Sequence, residues 1–297
     1  MTKTAFPNIH RASLSSDTCQ HLAGRYWADC VANVELRTLL AAASRIAFGD
    51  VVILTFPGDN FTQTRSAALR FVNLVGNAVE VERAEKGIWY SLGVDPAAAP
   101  IAANGTGPNV PHVDMLTLSK FPDAMGILCE RPDPYGGGHT VLAPIELSVS
   151  QLSEPHVTAL MDPIFSYWPD DGLKNVGHYQ SHFSILPTKD DPRFRFTSKM
   201  MDRIAKVPLS DAAPPQARGA VEALADALAK NVMKIQLQRG DLVLFSQHHH
   251  CHGRTALGAE ADKPGTGAPR QLWRMYFNLS VPITSAHSTD TALSTAP

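Results

Sequence analysis

The chain of 297 residues has few cysteines, little excess charge and no long apolar run. Its four cysteines show no C-x-x-C spacing, which argues against a zinc knuckle and against a disulfide framework. The formal net charge of -2 comes without a basic stripe or tail, which argues against a nucleic-acid surface. The longest apolar run, residues 51–56, is too short to span a bilayer, and the N-terminus lacks the apolar stretch of a signal peptide. We therefore expect a cytoplasmic protein that binds neither membranes nor nucleic acids.

Hydrophobic residues account for 44% of the chain, so it can bury a large core. Helical spacing of apolar residues predicts helices at 33–46 and 62–76, and a third after Pro215 that ends at Asn231 in a left-handed conformation. Short β-branched or apolar runs predict strands at 51–56, 124–129, 140–143 and 271–281, and a β-hairpin formed by 232–237 and 242–245.

Residues 83–111 are rich in Gly, Pro, Ala and Asn and show no periodicity, so we interpret them as a lid over a site. Helices at the start and strands in the middle and C-terminal parts predict a mainly β fold, a double-stranded β-helix or jelly roll with helical decoration. We expect a single jelly-roll domain over 1–282, with N-terminal helices and a helical insertion around 150–231. The Ser/Thr/Ala-rich residues 283–297 are predicted to be a flexible tail.

The tripeptide His112-Val113-Asp114 is the first candidate site. In a strand, residues i and i+2 share a face, so His112 and Asp114 can hold one ion together. Two histidines and one carboxylate on one face of an octahedral ion are diagnostic of non-haem Fe(II) oxygenases, because the other face stays open for substrate and O2. An H-x-D tripeptide is common by chance, however, and a second histidine is required.

A cluster of histidines between residues 248 and 252 can provide that ligand. In a strand, His248, His250 and His252 would face one side, and His249 and Cys251 the other. The alternative is a polar surface cluster that takes up metal without a function.

Two arginines follow the histidine cluster. Arg270 and Arg274 would share one face of the last strand, and a buried guanidinium requires an anion, which its fork can bind in a bidentate manner. The alternative partner is an internal carboxylate such as Glu146. By contrast, Arg193 and Arg195, which alternate with phenylalanines, are interpreted as part of a solvated face.

The motifs together resemble the Fe(II)/2-oxoglutarate-dependent dioxygenases of the taurine dioxygenase and clavaminate synthase-like superfamily. The resemblance extends from about residue 51 to residue 280 and rests on His112-x-Asp114, Gly137-Gly138-His139-Thr140-Val141, Gly240-Asp241-Leu242-Val243-Leu244-Phe245, His252-Gly253-Arg254-Thr255-Ala256-Leu257 and Arg270-x-x-x-Arg274. One departure is Ser246-Gln247-His248, where relatives often carry Asp-Asn-Arg.

The resemblance implies a role for each of these residues. It implies that His112, Asp114 and His252 bind the iron; His252 is favoured over His250 because Gly253 and Arg254 follow it, and the roles of His248, His249 and His250 stay open. It further implies that Arg270 and Thr140 hold the distal carboxylate of 2-oxoglutarate, and that Arg274 lies near an anionic group of the substrate. Arg254 is expected to brace the strand or a nearby carboxylate.

The implied activity is hydroxylation or desaturation of a small polar metabolite with an anionic group, an amino acid or a biosynthetic intermediate derived from one. The reaction would use Fe(II) as its cofactor and would consume 2-oxoglutarate, the cosubstrate, and O2, with release of succinate and CO2. Trp89 and Tyr90, in the predicted lid, would shape the substrate pocket or pack under the loop. The alternatives are a cupin-like metalloenzyme that does not use 2-oxoglutarate and a non-catalytic metal-binding jelly roll. The sequence leaves the oligomeric state open, and a homo-oligomer is compatible with it.

Overall fold

The computed structural model of the protein describes residues 6–23, 33–58, 60–80, 87–95, 97–116, 118, 121–165, 183–189, 191–197, 216–258 and 269–280. The strands are β1 (Ile9–Ser13), β2 (Val51–Thr55), β3 (Gly76–Val79), β4 (Tyr90–Gly93), β5 (Asn109–His112), β6 (Ala124–Arg131), β7 (Thr140–Pro144), β8 (Met233–Ile235), β9 (Asp241–Ser246), β10 (His250–Arg254) and β11 (Gln271–Leu279). The α-helices are α1 (Ser16–Ala23), α2 (Val34–Ser44), α3 (Phe61–Val75), α4 (Ile145–Val149), α5 (Glu154–Met161) and α6 (Ala217–Lys230), and a 3-10 helix follows α2 at Arg45–Phe48. None of the helices in these ranges is both long enough and apolar enough to cross a membrane.

The strands form two sheets. The larger sheet has the order β1-β2-β9-β6-β11-β3, and β4 pairs with the first half of β11 while β3 pairs with its second half. The smaller sheet has the order β5-β10-β7-β8 and is antiparallel. An inner core that includes Phe245 of the larger sheet and Leu142 of the smaller one fills the space between them. This is the jelly-roll core that the sequence predicts.

Alternation along each strand creates two further cores on the outer faces of the sheets. In β9, Val243 and Phe245 belong to the inner core, whereas Leu242 and Leu244 pack with the apolar sides of α1, α2 and α3 in an outer core. In β10, Cys251 faces away from the interior and packs with the insertion helices, including Leu224 of α6. The site residues that face the interior are therefore held between two sheets that are each covered by helices.

Side-chain caps fix where the N-terminal helices begin. Asn33 accepts a hydrogen bond from the backbone N–H of Leu36, 3.1 Å away, and Asn60 caps α3 in the same way through the N–H groups of Thr62 and Gln63. These two helices agree with the predicted ranges to within a few residues.

The predicted end of α6 is partly wrong. The helix ends before Asn231, but this residue has φ -99° and is not left-handed. Its side-chain amide is buried and donates to the carbonyl of Ala227, at 2.9 Å, and to the Ser148 hydroxyl of α4, at 3.3 Å. The amide therefore ties α6 to α4, which a C-terminal cap inferred from the sequence does not anticipate.

The predicted β-hairpin between 232–237 and 242–245 is wrong. β8 pairs with β7 in the smaller sheet, whereas β9 pairs with β2 and β6 in the larger one. The turn between them is a crossing point from one sheet to the other. Gly240 at this turn has φ 88°, and its N–H donates to the Cys129 carbonyl while its own carbonyl accepts from Phe56. Closeness along the chain was a misleading guide to pairing here.

The predicted lid, residues 83–111, is more regular than expected. Its described part contains β4 and the start of β5. Between them, Asp95 and Asn104 approach each other, because the Asp95 N–H donates to the Asn104 carbonyl at 2.8 Å. The helices α4, α5 and α6 lie between β7 and β8; α5 and α6 fall in the range 150–231 of the predicted insertion and α4 just before it, whereas the predicted tail at 283–297 lies outside the described residues.

Candidate metal centre

His112, Asp114 and His252 meet at one end of the space between the sheets. His112 ends β5 and lies opposite His252 of β10 in the antiparallel register, so their ring centroids are 4.3 Å apart. Asp114 reaches the site from a turn just after β5, not from the strand itself as the sequence suggested. One ligand atom from each residue can be chosen so that all three lie within 4.8 Å of one another. These two imidazoles and one carboxylate are a donor set that suits Fe(II).

Hydrogen bonding presents the correct nitrogen of His112 to this site. Its Nδ1 lies 2.8 Å from the Val110 carbonyl oxygen, which can only accept, so Nδ1 carries the proton. The lone pair is then on Nε2, which lies 3.5 Å from Oδ1 of Asp114. A ligand histidine whose second nitrogen donates to a carbonyl is the usual arrangement at metal sites, because it fixes both tautomer and orientation.

The protonation states also suit a metal. Burial, and then the neighbouring His112, lowers the pKa of His252 to about 4, so its imidazole is neutral at physiological pH. Burial alone would raise the pKa of the Asp114 carboxyl, but Arg274, followed by His252, holds that pKa well below its usual range. His252 therefore offers a neutral imidazole and Asp114 an ionised carboxylate, which are the forms that bind metal ions.

Residues of β11 and β9–β10 hold Asp114 in place. Oδ2 of Asp114 accepts hydrogen bonds from Arg274 Nη1 at 2.6 Å and from the Tyr276 hydroxyl at 2.7 Å. Its backbone N–H donates to Oε1 of the buried Gln247 at 3.1 Å. The Arg274 guanidinium lies 4.9 Å from the ring centroid of Tyr90 and 5.1 Å from that of Tyr276.

A second polar pocket lies further along the same interior. It is lined by Thr140, Arg270, Asp133, Gly138, Cys129 and Leu272, among others. Arg270, just before β11, alternates with Leu272 and Arg274 of that strand, so all three face the same interior. Arg270 is only 5% exposed, and burial, followed by the nearby Arg254, lowers its pKa to about 10. A buried guanidinium of this kind favours an anionic ligand.

Gly138 allows the Arg270 side chain to lie where it does. Gly138 has φ 64°, and a Cβ at this position would lie 2.9 Å from Arg270 Cδ and 2.7 Å from Leu257 Cδ2. Asp133 fixes the same turn, since its carboxylate accepts from the N–H groups of Tyr135, Gly137 and Gly258. The Gly137-Gly138 pair of the sequence motif thus has a steric basis.

The other histidines of the cluster have separate surroundings. His248 pairs with Asp123 at 3.3 Å, and His249 pairs with Glu146 at 3.4 Å. His250 faces the interior, and burial, followed by His249, lowers its pKa to about 3. Among the described residues, the group that could hold a metal includes His252 and none of these three.

The structure distinguishes between the alternatives for Trp89 and Arg274 and contradicts the expectation for Arg195. Trp89 packs against the outer core beneath the N-terminal helices, whereas Tyr90, its neighbour, faces Arg274; successive residues point to opposite faces of the sheet, so only Tyr90 reaches the site. Arg195 is fully buried and not solvated, and it donates to the carbonyls of Leu116 and Leu118 in the turn after Asp114. Arg274 pairs with an internal carboxylate, as the alternative interpretation allowed, but that carboxylate is Asp114, and Glu146 pairs with His249.

Arg254 has the bracing role that was expected, with a different partner. Its guanidinium donates to the carbonyls of Ala103 and Gly107 and so fastens the loop between β4 and β5 to the strand of His252. Sequence reasoning missed Tyr276 and Gln247. For Tyr276 a signal existed, because it continues the i, i+2 pattern of Arg270 and Arg274 in β11; for Gln247 the only signal was its place in the unusual Ser246-Gln247-His248 triplet.

The fold and the three-residue cluster define the class of non-haem iron oxygenases with a jelly-roll core. The chain belongs to the family described as taurine catabolism dioxygenase TauD, TfdA family, whose model matches residues 31–276. The predicted family, fold and dioxygenase class are thereby confirmed. No curated protein is significantly similar to the chain in sequence.

Solved structures resemble the whole fold at low sequence identity. An asparagine oxygenase in complex with Fe(II), 2S,3S-3-hydroxyasparagine and succinate is 18% identical, with a TM-score of 0.70, and the match covers 91% of this chain and 93% of the other. The non-heme iron oxygenase OrfP in complex with Fe and alpha-ketoglutaric acid is 15% identical, with a TM-score of 0.66, over 90% and 94% of the two chains. OrfP in complex with Fe, succinate and (3S)-hydroxy-L-Arg is also 15% identical, with a TM-score of 0.63 over the same shares.

Proposed function

We propose that the protein is an Fe(II)- and 2-oxoglutarate-dependent dioxygenase that hydroxylates or desaturates an amino acid or a metabolite derived from one, with release of succinate and CO2. The observation that carries this proposal is the convergence of His112, Asp114 and His252 beside two buried arginines, one just before β11 and one within it. Family membership supports the dioxygenase class.

His112, Asp114 and His252 would hold Fe(II), and the ion would supply the activation of O2. The fit rests on features of the chain itself: Nε2 of His112 and the buried ring of His252 both approach the Asp114 carboxylate, each at 3.5 Å. Three protein ligands of an octahedral ion leave room for a chelating cosubstrate and O2.

Arg270 and Thr140 would bind the distal carboxylate of 2-oxoglutarate. Both line the pocket beside the metal end of the interior, and the buried Arg270 offers a planar fork for a carboxylate. The OrfP complex with Fe and alpha-ketoglutaric acid, which shares the fold, supports this choice of cosubstrate.

Arg274 would bind the carboxylate of the substrate, with Tyr90 beside it. One guanidinium nitrogen of Arg274 already contacts Asp114, but its Nε is buried and has no hydrogen-bond partner among the residues that the structure describes. That nitrogen is a donor available for an anion. Neighbours of the same fold hold hydroxylated asparagine or arginine together with succinate, which supports an amino-acid substrate.

The test is succinate release from 2-oxoglutarate with Fe(II), ascorbate and O2, measured over a panel of free amino acids. We expect one or more amino acids to stimulate release and to gain one oxygen atom or lose two hydrogen atoms by mass analysis. His112→Ala and Arg270→Ala should abolish the release, while the exposed controls His21→Ala and Arg218→Ala retain it. Substrate oxidation that requires no 2-oxoglutarate and survives Arg270→Ala would favour a cupin-like enzyme, and metal binding without any turnover would favour a non-catalytic protein.

A further inference from the structure

Tyr276 makes two contacts at the centre of the site that no motif assigns. Its hydroxyl donates to Oδ2 of Asp114 at 2.7 Å, and its ring lies 5.1 Å from the Arg274 guanidinium. The residue is 4% exposed, so both contacts are made in a largely dry interior where hydrogen bonds are stronger than in water. It lies two residues after Arg274 in β11, so both side chains project from the same face of the strand.

The two carboxylate oxygens of Asp114 differ in the hydrogen bonds that they accept. Oδ2 receives the hydroxyl of Tyr276 and Nη1 of Arg274, two short hydrogen bonds from neighbouring positions of one strand. Each oxygen lies 3.5 Å from the Nε2 of one ligand histidine, Oδ1 from His112 and Oδ2 from His252. The backbone of Asp114 is fixed independently by Gln247. Only Oδ2 also accepts the two short hydrogen bonds, so its lone pairs are engaged by the protein and Oδ1 is the oxygen left for a metal ion.

We propose that Tyr276 is a positioning residue that engages Oδ2 of Asp114 and so presents Oδ1 as a single ligand to the metal. A carboxylate that bound through both oxygens would occupy one further coordination position, at the expense of the cosubstrate or O2. Hydrogen bonds to a ligand carboxylate commonly set its orientation, and their loss weakens metal binding or activity. The inference rests on the proposed metal centre and goes beyond it by assigning a residue that touches no metal.

The experiment measures binding of Mn(II), an oxygen-insensitive substitute for Fe(II), to metal-free protein by the electron paramagnetic resonance of the free ion. Tyr276→Phe removes the hydroxyl and keeps the ring against Arg274. We expect Mn(II) affinity to fall about 10-fold or more in this variant. Tyr90→Phe is the matched control, because it also removes a phenol beside Arg274 but one without a recorded bond to Asp114; it should bind Mn(II) as the wild type does.

A double-mutant cycle separates positioning from a general loss of structure. In the Asp114→Ala background, Tyr276→Phe should cause no further loss of Mn(II) affinity, because the hydroxyl acts through the carboxylate. Equal melting temperatures of the metal-free Tyr276→Phe and Tyr90→Phe variants would exclude unfolding as the cause. An additional loss in the Asp114→Ala background would contradict the proposal.

The remaining outcomes distinguish this inference from the proposed function. If the wild type binds Mn(II), His112→Ala abolishes binding and Tyr276→Phe binds as tightly as the wild type, the metal centre stands and the role of Tyr276 is overturned. Equal weakening by Tyr276→Phe and Tyr90→Phe overturns it as well. If the wild type binds no Mn(II), the metal centre itself is refuted, and the role of Tyr276 falls with it.

Discussion

Arg270, just before β11, and Arg274, within it, face the same interior four residues apart, and the protein neutralises them differently. Burial works against the charge of both, but Asp114 more than compensates at Arg274, so that its pKa is raised. At Arg270, burial and the nearby Arg254 prevail, and the pKa is lowered to about 10. The nearby Asp133 acts against this lowering but does not reverse it, and its carboxylate already accepts hydrogen bonds from three backbone N–H groups.

The difference shows where an external anion fits. A buried cation whose counter-charge is largely missing is costly, and a bound dianion would remove that cost. Arg274 already has a counter-ion, and that counter-ion is the carboxylate proposed to bind the metal. Arg270 is thus prepared for a dianionic ligand, while Arg274 is tied to the metal centre and offers only its remaining donor, Nε, to a substrate carboxylate.

The largest expected effect is the loss of 2-oxoglutarate binding when the Arg270 side chain is removed. Arg270→Ala should weaken 2-oxoglutarate affinity on the order of 100-fold or more, because a buried charge pair would lose one partner. Calorimetric titration of the Mn(II)-loaded protein measures this. Arg274→Ala should leave the affinity nearly unchanged; equal losses in the two variants would refute the division of roles.

For the stability of the metal-free protein, we expect substitution of Arg274 to have a larger effect than substitution of Arg270, the reverse of their order for 2-oxoglutarate affinity. Arg274→Gln leaves the Asp114 carboxylate buried without its cation, which should lower the free energy of unfolding by about 3 kcal/mol. Arg270→Gln removes a poorly compensated cation and should cost much less. Urea unfolding of the metal-free variants provides the comparison, and added Mn(II) should restore part of the stability of Arg274→Gln.

A smaller effect is expected from the glycine that accommodates Arg270. In Gly138→Ala the new Cβ would lie 2.9 Å from Arg270 Cδ and would displace that side chain. We expect the affinity for 2-oxoglutarate to fall about 10-fold, which is a loss of roughly 1.4 kcal/mol of binding free energy. Gly136→Ala is the control: Gly136 also has a positive φ, 77°, but an added Cβ there meets no atom within 4 Å. It should share the backbone strain and keep the affinity.

The smallest expected effect is a loss of stability at lower pH that comes from the two buried histidines of β10. His250 and His252 have pKa values lowered to about 3 and about 4, so the unfolded chain binds protons below about pH 6.5 that the folded chain does not. Stability should therefore fall as the pH is lowered, by roughly 0.7 kcal/mol per histidine between pH 7 and pH 6. In metal-free His250→Gln, the loss over this interval should be smaller by one such increment. An identical loss in wild type and variant would contradict the buried, neutral state of His250.

The sequence predicted those parts of the fold that depend on local spacing. Alternation in β9 and β11 and the capped helices α2 and α3 are visible in the pattern of apolar residues. The sheet to which β8 belongs was not predictable in this way, because pairing with β7 depends on the path of the whole chain and not on the short turn at Gly240.

The candidate site was predicted as a set of residues but not as a network. The ligand triad and Arg270 followed from motif order, whereas the bond between Arg274 and Asp114 joins residues that are 160 positions apart. Arg195 was misjudged for the same reason: its alternation with phenylalanines does not reveal that the turn after Asp114 covers it.

The anchoring of the loop between β4 and β5 by Arg254 has a consequence for how this enzyme can diversify. Arg254 binds carbonyl oxygens of Ala103 and Gly107, which every amino acid possesses, and it makes no hydrogen bond to a side chain of the loop residues that the structure describes. Side chains such as Ile101, which is exposed, can therefore be exchanged without loss of the anchor. Selection can alter the chemistry at this rim of the molecule while the strand that carries His252 keeps its position.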